Sequence, residues 1–422
     1  MSDQGRFFWM RTIAVVAAAC AGPVQAQTRA QTSSAAELGS VTQRADGGLA
    51  VQGVTLGSFR LFPAMTAVVS YDDNIYNRRS PEVADGYARI APSADLRSLW
   101  SRHSLSLRLD GDFRRYFDTT SENSDQFGLD VASRYDISRT TTLSATGSVS
   151  RRIEPRGTGG DVFLAGGPNT FDEKTVGLAL RTLPGRLLLE VRGNTSRFDY
   201  LDNDNGSTVI DLSFRDFVST SAGVRAGYAV GPGAYVFVDG SRNWARYPNT
   251  GAGLIDRASD GYAVNGGVRV DLNPLVGGEI SLGYLRQNFD SPQFSDVSGV
   301  SYAASVFWNP TPLLSLNLRA NRSVQRAPVL ASAGIDQNVF QLSADYQPTR
   351  RILVTATGQY VRSSFRGVGV ADDQFSQTVT ARYNLNRYVD ITGAVNLRQR
   401  NANVAERDYA GKSVRFGIVA KY

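Results

Sequence analysis

The chain has 422 residues, 42% of them hydrophobic and only 20% charged, with 41 Gly, 18 Tyr and 20 Phe against one Cys, one His and three Met. That balance excludes a disulfide scaffold and a Cys-based zinc site, leaves almost nothing for His-dependent catalysis, and lacks the charge of a soluble α/β enzyme of this length. Forty-five basic and 39 acidic residues give a formal charge of +6, too weak and too dispersed to point to nucleic acid, and no cofactor is expected.

Residues 1–26 read as an export signal. Arg6 and Arg11 flank a short leading region, Thr12 to Gly22 are apolar and small, Pro23 breaks the run, and Val24-Gln25-Ala26 offers a cleavage site. The apolar run is about half a membrane-spanning helix, and no later stretch reaches the ~20 apolar residues such a helix needs. A rival reading makes Ala17-Ala18-Ala19-Cys20 a lipidation site at Cys20, although no large aliphatic residue stands three before the Cys. Both readings send the chain out of the cytoplasm. Residues 27–60 are expected to be a flexible periplasmic leader, the first half of it rich in Gln, Thr, Ser, Ala and Gly without periodicity.

From Leu61 to Tyr422 the pattern has period two, the mark of strands facing two environments. Leu105, Leu107, Leu109 and Phe113 alternate with Ser104, Ser106, Arg108, Asp110 and Asp112; Val389, Ile391, Val395 and Leu397 alternate with Asp390, Thr392, Asn396 and Arg398. Tight turns (98–102, 137–140, 184–185, 231–234, 273–277, 309–312, 347–351, 386–388) take strict turns with long polar loops (74–85, 118–125, 155–174, 201–213, 248–260, 290–299, 327–335, 364–373, 401–411). Seventeen connections make 18 strands. The expectation is an all-β fold over residues 61–422: a transmembrane antiparallel up-and-down barrel of about 18 strands in a bacterial outer membrane, short turns in the periplasm. Aromatics that close descending strands (Tyr135, Tyr228, Trp308, Tyr346, Tyr383) are expected in an interfacial girdle.

Arg415-Phe416-Gly417-Ile418-Val419-Ala420-Lys421-Tyr422 alternates to the last residue and ends on an aromatic. It resembles the C-terminal insertion signal of bacterial outer-membrane barrels, with Phe416, Gly417, Ile418 and Tyr422 in its positions and Ala420 smaller than usual. The implied partners are outer-membrane lipid and the barrel assembly machinery, which would add this strand by backbone pairing.

The segment Gly53-Val54-Thr55-Leu56-Gly57-Ser58-Phe59-Arg60-Leu61-Phe62-Pro63, followed by Ser70-Tyr71-Asp72-Asp73-Asn74-Ile75-Tyr76, resembles the opening of the putative β-barrel porin 2 family. Leu99-Trp100-Ser101-Arg102-His103 fits its first periplasmic turn, and Arg114-Arg115-Tyr116 and the run Arg151 to Arg156 also fit. The resemblance covers residues 53–422. It implies an outer-membrane barrel of a kind often encoded beside exopolysaccharide functions, with a polysaccharide or a periplasmic export component as a further partner, and it brings no catalytic residues.

Function is expected on the inward face. Descending strands place Arg97, Arg134, Arg181, Arg225, Arg269, Arg382 and Arg415 there, joined by Asp95, Asp110, Asp112, Asp130, Asp136, Asp271, Asp345 and Asp390. One reading is a basic constriction that selects anions; the favoured one is mutual neutralisation by cross-strand pairs that brace the wall. Tyr71-Asp72-Asp73-Asn74 has the oxygens for Ca²⁺ but the spacing of an ordinary turn. His103 lacks the partners of a catalytic triad and suits interfacial anchoring. Asp110 and Asp112 share a face but read as polar lining rather than a hydrolytic pair. Val162-Phe163-Leu164, in the longest loop, could fold into the pore or dock on a partner. The expected function is a passive, non-enzymatic channel for a polar solute; the alternative is a closed barrel that anchors an envelope or matrix complex.

Overall fold

The structure, a computed structural model, describes Val41, Ser332 and residues 51–158, 166–204, 206–249, 255–271, 275–326 and 334–422. The expected signal at 1–26, Cys20, nearly all of the leader up to residue 50 and the Val162-Phe163-Leu164 cluster lie outside the described residues.

Eighteen strands close one antiparallel barrel. They are β1 (Phe59–Asp72), β2 (Asp85–Ser98), β3 (Ser104–Tyr116), β4 (Ser124–Asp136), β5 (Thr141–Ile153), β6 (Thr170–Thr182), β7 (Leu187–Tyr200), β8 (Phe217–Gly231) and β9 (Ala234–Arg246). The second half comprises β10 (Ser259–Val270), β11 (Val276–Phe289), β12 (Val297–Thr311), β13 (Leu314–Arg326), β14 (Gly334–Thr349), β15 (Ile352–Phe365), β16 (Val370–Asn384), β17 (Val389–Ala402) and β18 (Tyr409–Lys421). Every strand pairs with its sequence neighbours, and β1 pairs with β18 from Ala64↔Lys421 to Asp72↔Ser413. Closure leaves no bare edge along the shared length.

Eight connections of two to five residues alternate with nine at the opposite end, eight of them six to sixteen residues long and one, 366–369, only four, so the expected count of strands holds and the alternation of length lapses at that one connection. The strands run from 12 to 16 residues. The loop expected at Ser364–Asp373 shrinks to residues 366–369, because pairing continues to Phe365↔Val370. Polar residues at strand ends suggested loop, yet a polar side chain is at home on a barrel strand wherever it faces the lumen or stands above the apolar band.

Sheet pairing also starts before Leu61. Val54–Leu56 folds back on β1 through Gly57-Ser58, with Val54↔Leu61 and Leu56↔Phe59, and Gly57 takes the left-handed conformation (φ 60°) this hairpin requires. This short strand occupies the edge of β1 just below Tyr422, whose N–H bonds to the Pro63 carbonyl at 3.0 Å.

Cross-strand partners share a face, so the register carries side-chain direction round the ring. The outer face is apolar: Val176, Leu178 and Leu180 on β6, Leu187, Leu189 and Val191 on β7, and Ile280, Leu282 and Tyr284 on β11 are all exposed there. Such a continuous apolar exterior belongs in hydrocarbon, not water. Tyr135, Tyr228, Trp308, Tyr346 and Tyr383 stand exposed on the outer face beside the short turns. His103 joins that rim, stacked on Tyr135 at 4.3 Å, and its Nδ1 accepts the Asp136 N–H at 3.1 Å. Phe416, Ile418 and Tyr422 face outward and Gly417 inward, with Tyr422 stacked on Tyr388 at 5.6 Å.

Candidate pore lining and mouth

The register puts Arg97, Arg134, Arg181, Arg225, Arg269, Arg382 and Arg415 on the inner face with Asp110, Asp112, Asp130, Asp271 and Asp390. They do not form one ring. Arg97, Arg134, Arg181, Arg269 and Arg382 lie within two residues of the short-turn ends of their strands, whereas Arg225 and Arg415 sit six residues higher.

Most of these charges are neutralised in place. Arg225 bridges Asp239 (2.9 Å) and Glu279 (2.9 Å), reaching from β8 to β11, while Arg192 takes the other oxygen of Asp239 at 2.7 Å. The Arg225 guanidinium also lies 4.1 Å over the Phe237 ring. Gly267 makes room for that ring, since a Cβ there would collide with its edge. Arg269 pairs with Asp271 (2.7 Å), Arg134 with Asp136 (2.9 Å) and Lys421 with Asp390 (2.7 Å); Arg97 and Arg108 share Asp95. Nearer the long loops, Asp110 holds Arg152 (2.9 Å), and Asp112 holds Arg89 (2.8 Å) and Arg114 (3.0 Å). Arg181, Arg319 and Arg415 have no ion-pair partner among the described residues. Asp130 stands opposite Arg108 and Ser148 in the register.

The inward positions expected from the sequence included Arg on descending strands alone and left out Arg192, Asp239 and Glu279, which the ascending strands β7, β9 and β11 supply. The same parity rule, applied to β7, β9 and β11, would have found them.

From β13 to β17 the inner wall changes character. Asn317, Asn321, Gln341, Ser343, Thr357, Gln359, Ser376, Thr378, Thr380 and Asn396 line it in register, and between its charged ends the amides and hydroxyls are interrupted by Arg319, by Arg398 and by the apolar Val339 and Val361. Asn396 donates to the Thr378 hydroxyl at 2.9 Å and Thr355 to Asp345 at 2.7 Å. At the short-turn end of this wall, Val41 is fully buried and gives its N–H to the Ser315 hydroxyl at 2.9 Å. That one leader residue therefore lies against the inner wall.

Around β1 to β10 the long loops knit into a canopy. Glu122 and Arg156 join the 117–123 and 154–169 loops at 2.5 Å, both buried. Glu154 pairs with Arg215 at 2.7 Å, and Asn203 donates to Asn169 at 3.0 Å. Asn249 donates to Asp216, and Arg257 to the Phe214 carbonyl. Arg398 draws the 73–84 loop inward through Asp72 and the Asn74 carbonyl. That role makes Asp72 and Asn74 structural, and among the described residues no cluster of carboxylate, His or Cys groups could hold a metal.

Beneath the canopy Phe171, Phe198, Tyr200, Phe217 and Tyr247 stack side by side, Phe198 on Phe217 at 4.4 Å. Arg215 lies over Tyr200 at 4.1 Å, Arg257 over Tyr247 at 4.4 Å and Arg326 over Phe217 at 4.9 Å. Burial lowers the Arg257 pKa, helped by the nearby positive Arg215. For Arg215 burial acts the same way, but the Glu154 carboxylate outweighs it and the pKa rises. Burial likewise raises the Tyr247 hydroxyl.

The family described as Putative beta-barrel porin 2 matches residues 49–422. The chain belongs to that family. No curated protein matches this porin-family chain. Among solved structures it is similar to the siderophore receptor PiuA of Acinetobacter baumannii (11% identity, TM-score 0.45, covering 88% of this chain and 82% of that one). It is also similar to OpdL (14%, 0.44, 87% and 99%) and OpdO (12%, 0.44, 87% and 98%) of Pseudomonas aeruginosa. None of these likenesses lends the barrel a solute.

Proposed function

We propose that this porin-family barrel is an outer-membrane channel, long loops at the cell surface and short turns in the periplasm, that passes a hydroxyl-rich polar solute. An exopolysaccharide leaving the cell is the leading candidate, in line with the company such barrels keep. The observation that carries this reading is the amide and hydroxyl wall of β13–β17. Its side chains offer donors and acceptors at short intervals, with Arg319 and Arg398 the charges between its ends, so a strand of neutral sugar could exchange hydrogen bonds as it slides. Passage would be passive, and no bond-making chemistry is assigned to the lumen. The outward Phe416, Ile418 and Tyr422 suit a last strand added by the assembly machinery against β1.

Single-channel recording in planar bilayers tests it. Steady conductance, briefly interrupted by a neutral oligosaccharide, is the expected result. A second reading has its own observation: Val41 at the inner wall and the near-complete burial of Ser315, Thr378 and Asn384 suit a closed barrel that anchors an envelope complex. Absence of conductance, with folded barrel in the bilayer, favours that reading.

A further inference from the structure

The outer face carries a feature that the channel does not use. Just below the long loops, outward Arg and Asp pair around much of the barrel: Arg115 with Asp125, Arg151 with Asp172, Arg197 with Asp199, Arg242 with Asp260 and Arg286 with Asp296. Each of these pairs is one to one except that Asp199 also takes Lys174 at 3.2 Å. On β13 to β16 the balance shifts. Arg322 and Arg366 both close on Asp336 (2.8 and 2.7 Å), and Arg362 holds Asp373 only loosely at 3.9 Å. The Arg362 side chain is 60% exposed and that of Arg366 41%, against 8% for Asp336 and 37% for Asp373, so positive charge outweighs negative where this sector meets its surroundings.

Directly beneath runs a row of outward aromatics crossing β12, β14, β15 and β16. Tyr302 meets Phe340 at 6.0 Å, Phe340 meets Tyr360 at 6.3 Å, and Tyr360 meets Phe375 at 4.9 Å. The phenols point up toward the charged belt: Tyr302 donates to Asn338, the register partner of Arg322, and Tyr360 to Asp373, the partner of Arg362. A flat aromatic shelf in the apolar band, capped by exposed guanidinium groups, is complementary to an acyl chain that ends in a phosphate.

We propose that the outward face of β12–β16 is a binding site for a phosphorylated lipid of the leaflet around the long-loop end, its phosphate held by Arg362 and Arg366 and its acyl chains lying on Phe340, Tyr360 and Phe375. The site rests on the outer-membrane placement and not on what the lumen carries. Asp336 and Asp373 set the two guanidinium groups in place without cancelling them. Arginine suits this task because its planar fork grips two phosphate oxygens and keeps its charge at the edge of hydrocarbon.

The test uses full-length barrel in a maltoside detergent, titrated with lipid A, its dephosphorylated form or phosphatidylcholine and read by native mass spectrometry. Lipid A should stay bound and the two controls should bind about tenfold more weakly. Arg362→Gln with Arg366→Gln should weaken lipid A by about tenfold, whereas Arg115→Gln with Arg242→Gln, elsewhere on the belt, should change it less than about twofold. Equal binding of the dephosphorylated lipid, equal loss in both double variants, or a second barrel occupying this face would overturn the site. Fractionation separates that failure from failure of the placement: in the former the wild-type chain still co-sediments with outer membrane, in the latter it does not.

Discussion

The wall from β3 to β11 and the wall from β13 to β17 share one backbone architecture and one kind of exterior, yet they solve the interior differently. The first spends its inward positions on Arg, Asp and Glu, which must find each other; Arg225 does so across three strand intervals. The second uses Asn, Gln, Ser and Thr, which are satisfied by a neighbour or by water and leave the wall free to exchange partners. The loops follow suit. Those above the charged wall lock together through buried Glu122–Arg156 and Glu154–Arg215 pairs, while the connection above the amide wall at 366–369 is the shortest of its end. One half of the barrel is a brace and the other a track.

The sharpest way to break this comparison is Arg225→Glu. It sets a new acid beside Glu190, Asp239 and Glu279 where a cation held them together, and Asp239 and Arg225 are both largely shielded from water. A loss of about 3–5 kcal/mol is expected, seen as disappearance of the heat-modifiable folded band. A carboxylate introduced at Gln359, in the other wall, should leave that band in place. If both variants fold equally well, the brace is not a brace.

The exterior offers a control of the next size. Leu178 on β6 and Leu342 on β14 are both more than half exposed on the outer face, one behind each wall. Leu178→Arg and Leu342→Arg should each cost about 2–4 kcal/mol in urea unfolding from lipid vesicles, because the lipid face does not know what lies behind it. A marked difference between the two would show that the halves differ outside as well as inside.

Much of this barrel was legible in the sequence, and its physics says which part. Alternation and the short–long rhythm of connections fixed strand number, sidedness and the inward Arg and Asp, because in a barrel these depend on neighbours in sequence. The partners were harder. Arg225 and Glu279 are 54 residues apart, and Arg215 and Glu154 are 61 apart, so only the closed sheet brings them together. The inward aromatic cluster was hidden as well, since Phe198 and Tyr200 occupy positions that parity assigns to polar lining. Composition also cut the strands short: Ser364, Asp372 and Asp373 read as loop when they are polar residues within paired strands, Asp372 facing the lumen.

Smaller again is the effect expected within the track. Gln359→Glu adds one carboxylate beside Gln341 and Ser376, its register partners, in a row whose other charges are Arg319 and Arg398 and which holds no acid. Stability should change by less than about 1 kcal/mol. The reversal potential under a salt gradient should move toward cation preference, as a fixed charge in a wet lumen requires. The mirror variant Glu279→Gln should move it the other way and cost stability besides, since it leaves one arm of Arg225 without a carboxylate. Equal shifts with equal stability would erase the distinction between the walls.

The smallest effect lies in the loop that roofs the charged wall. The Ser213 hydroxyl and backbone N–H both bond the Asp211 carboxylate and hold its pKa below the usual value. A carboxylate whose folded pKa is depressed contributes its stabilisation above the unfolded value, about 3.9, and loses it as pH falls through the folded one. The loop should therefore loosen only in acid, and Asp211→Asn, which keeps an oxygen for the Ser213 N–H, should remove that pH dependence. Limited proteolysis of the 201–216 loop at pH 3 and pH 6 would read it: wild type is cut faster at pH 3, the Asn variant at similar rates. Asp211 is exposed, so the difference should be slight. A loop cut equally fast at both pH values in the wild type would mean that the canopy is held by its buried arginine pairs alone.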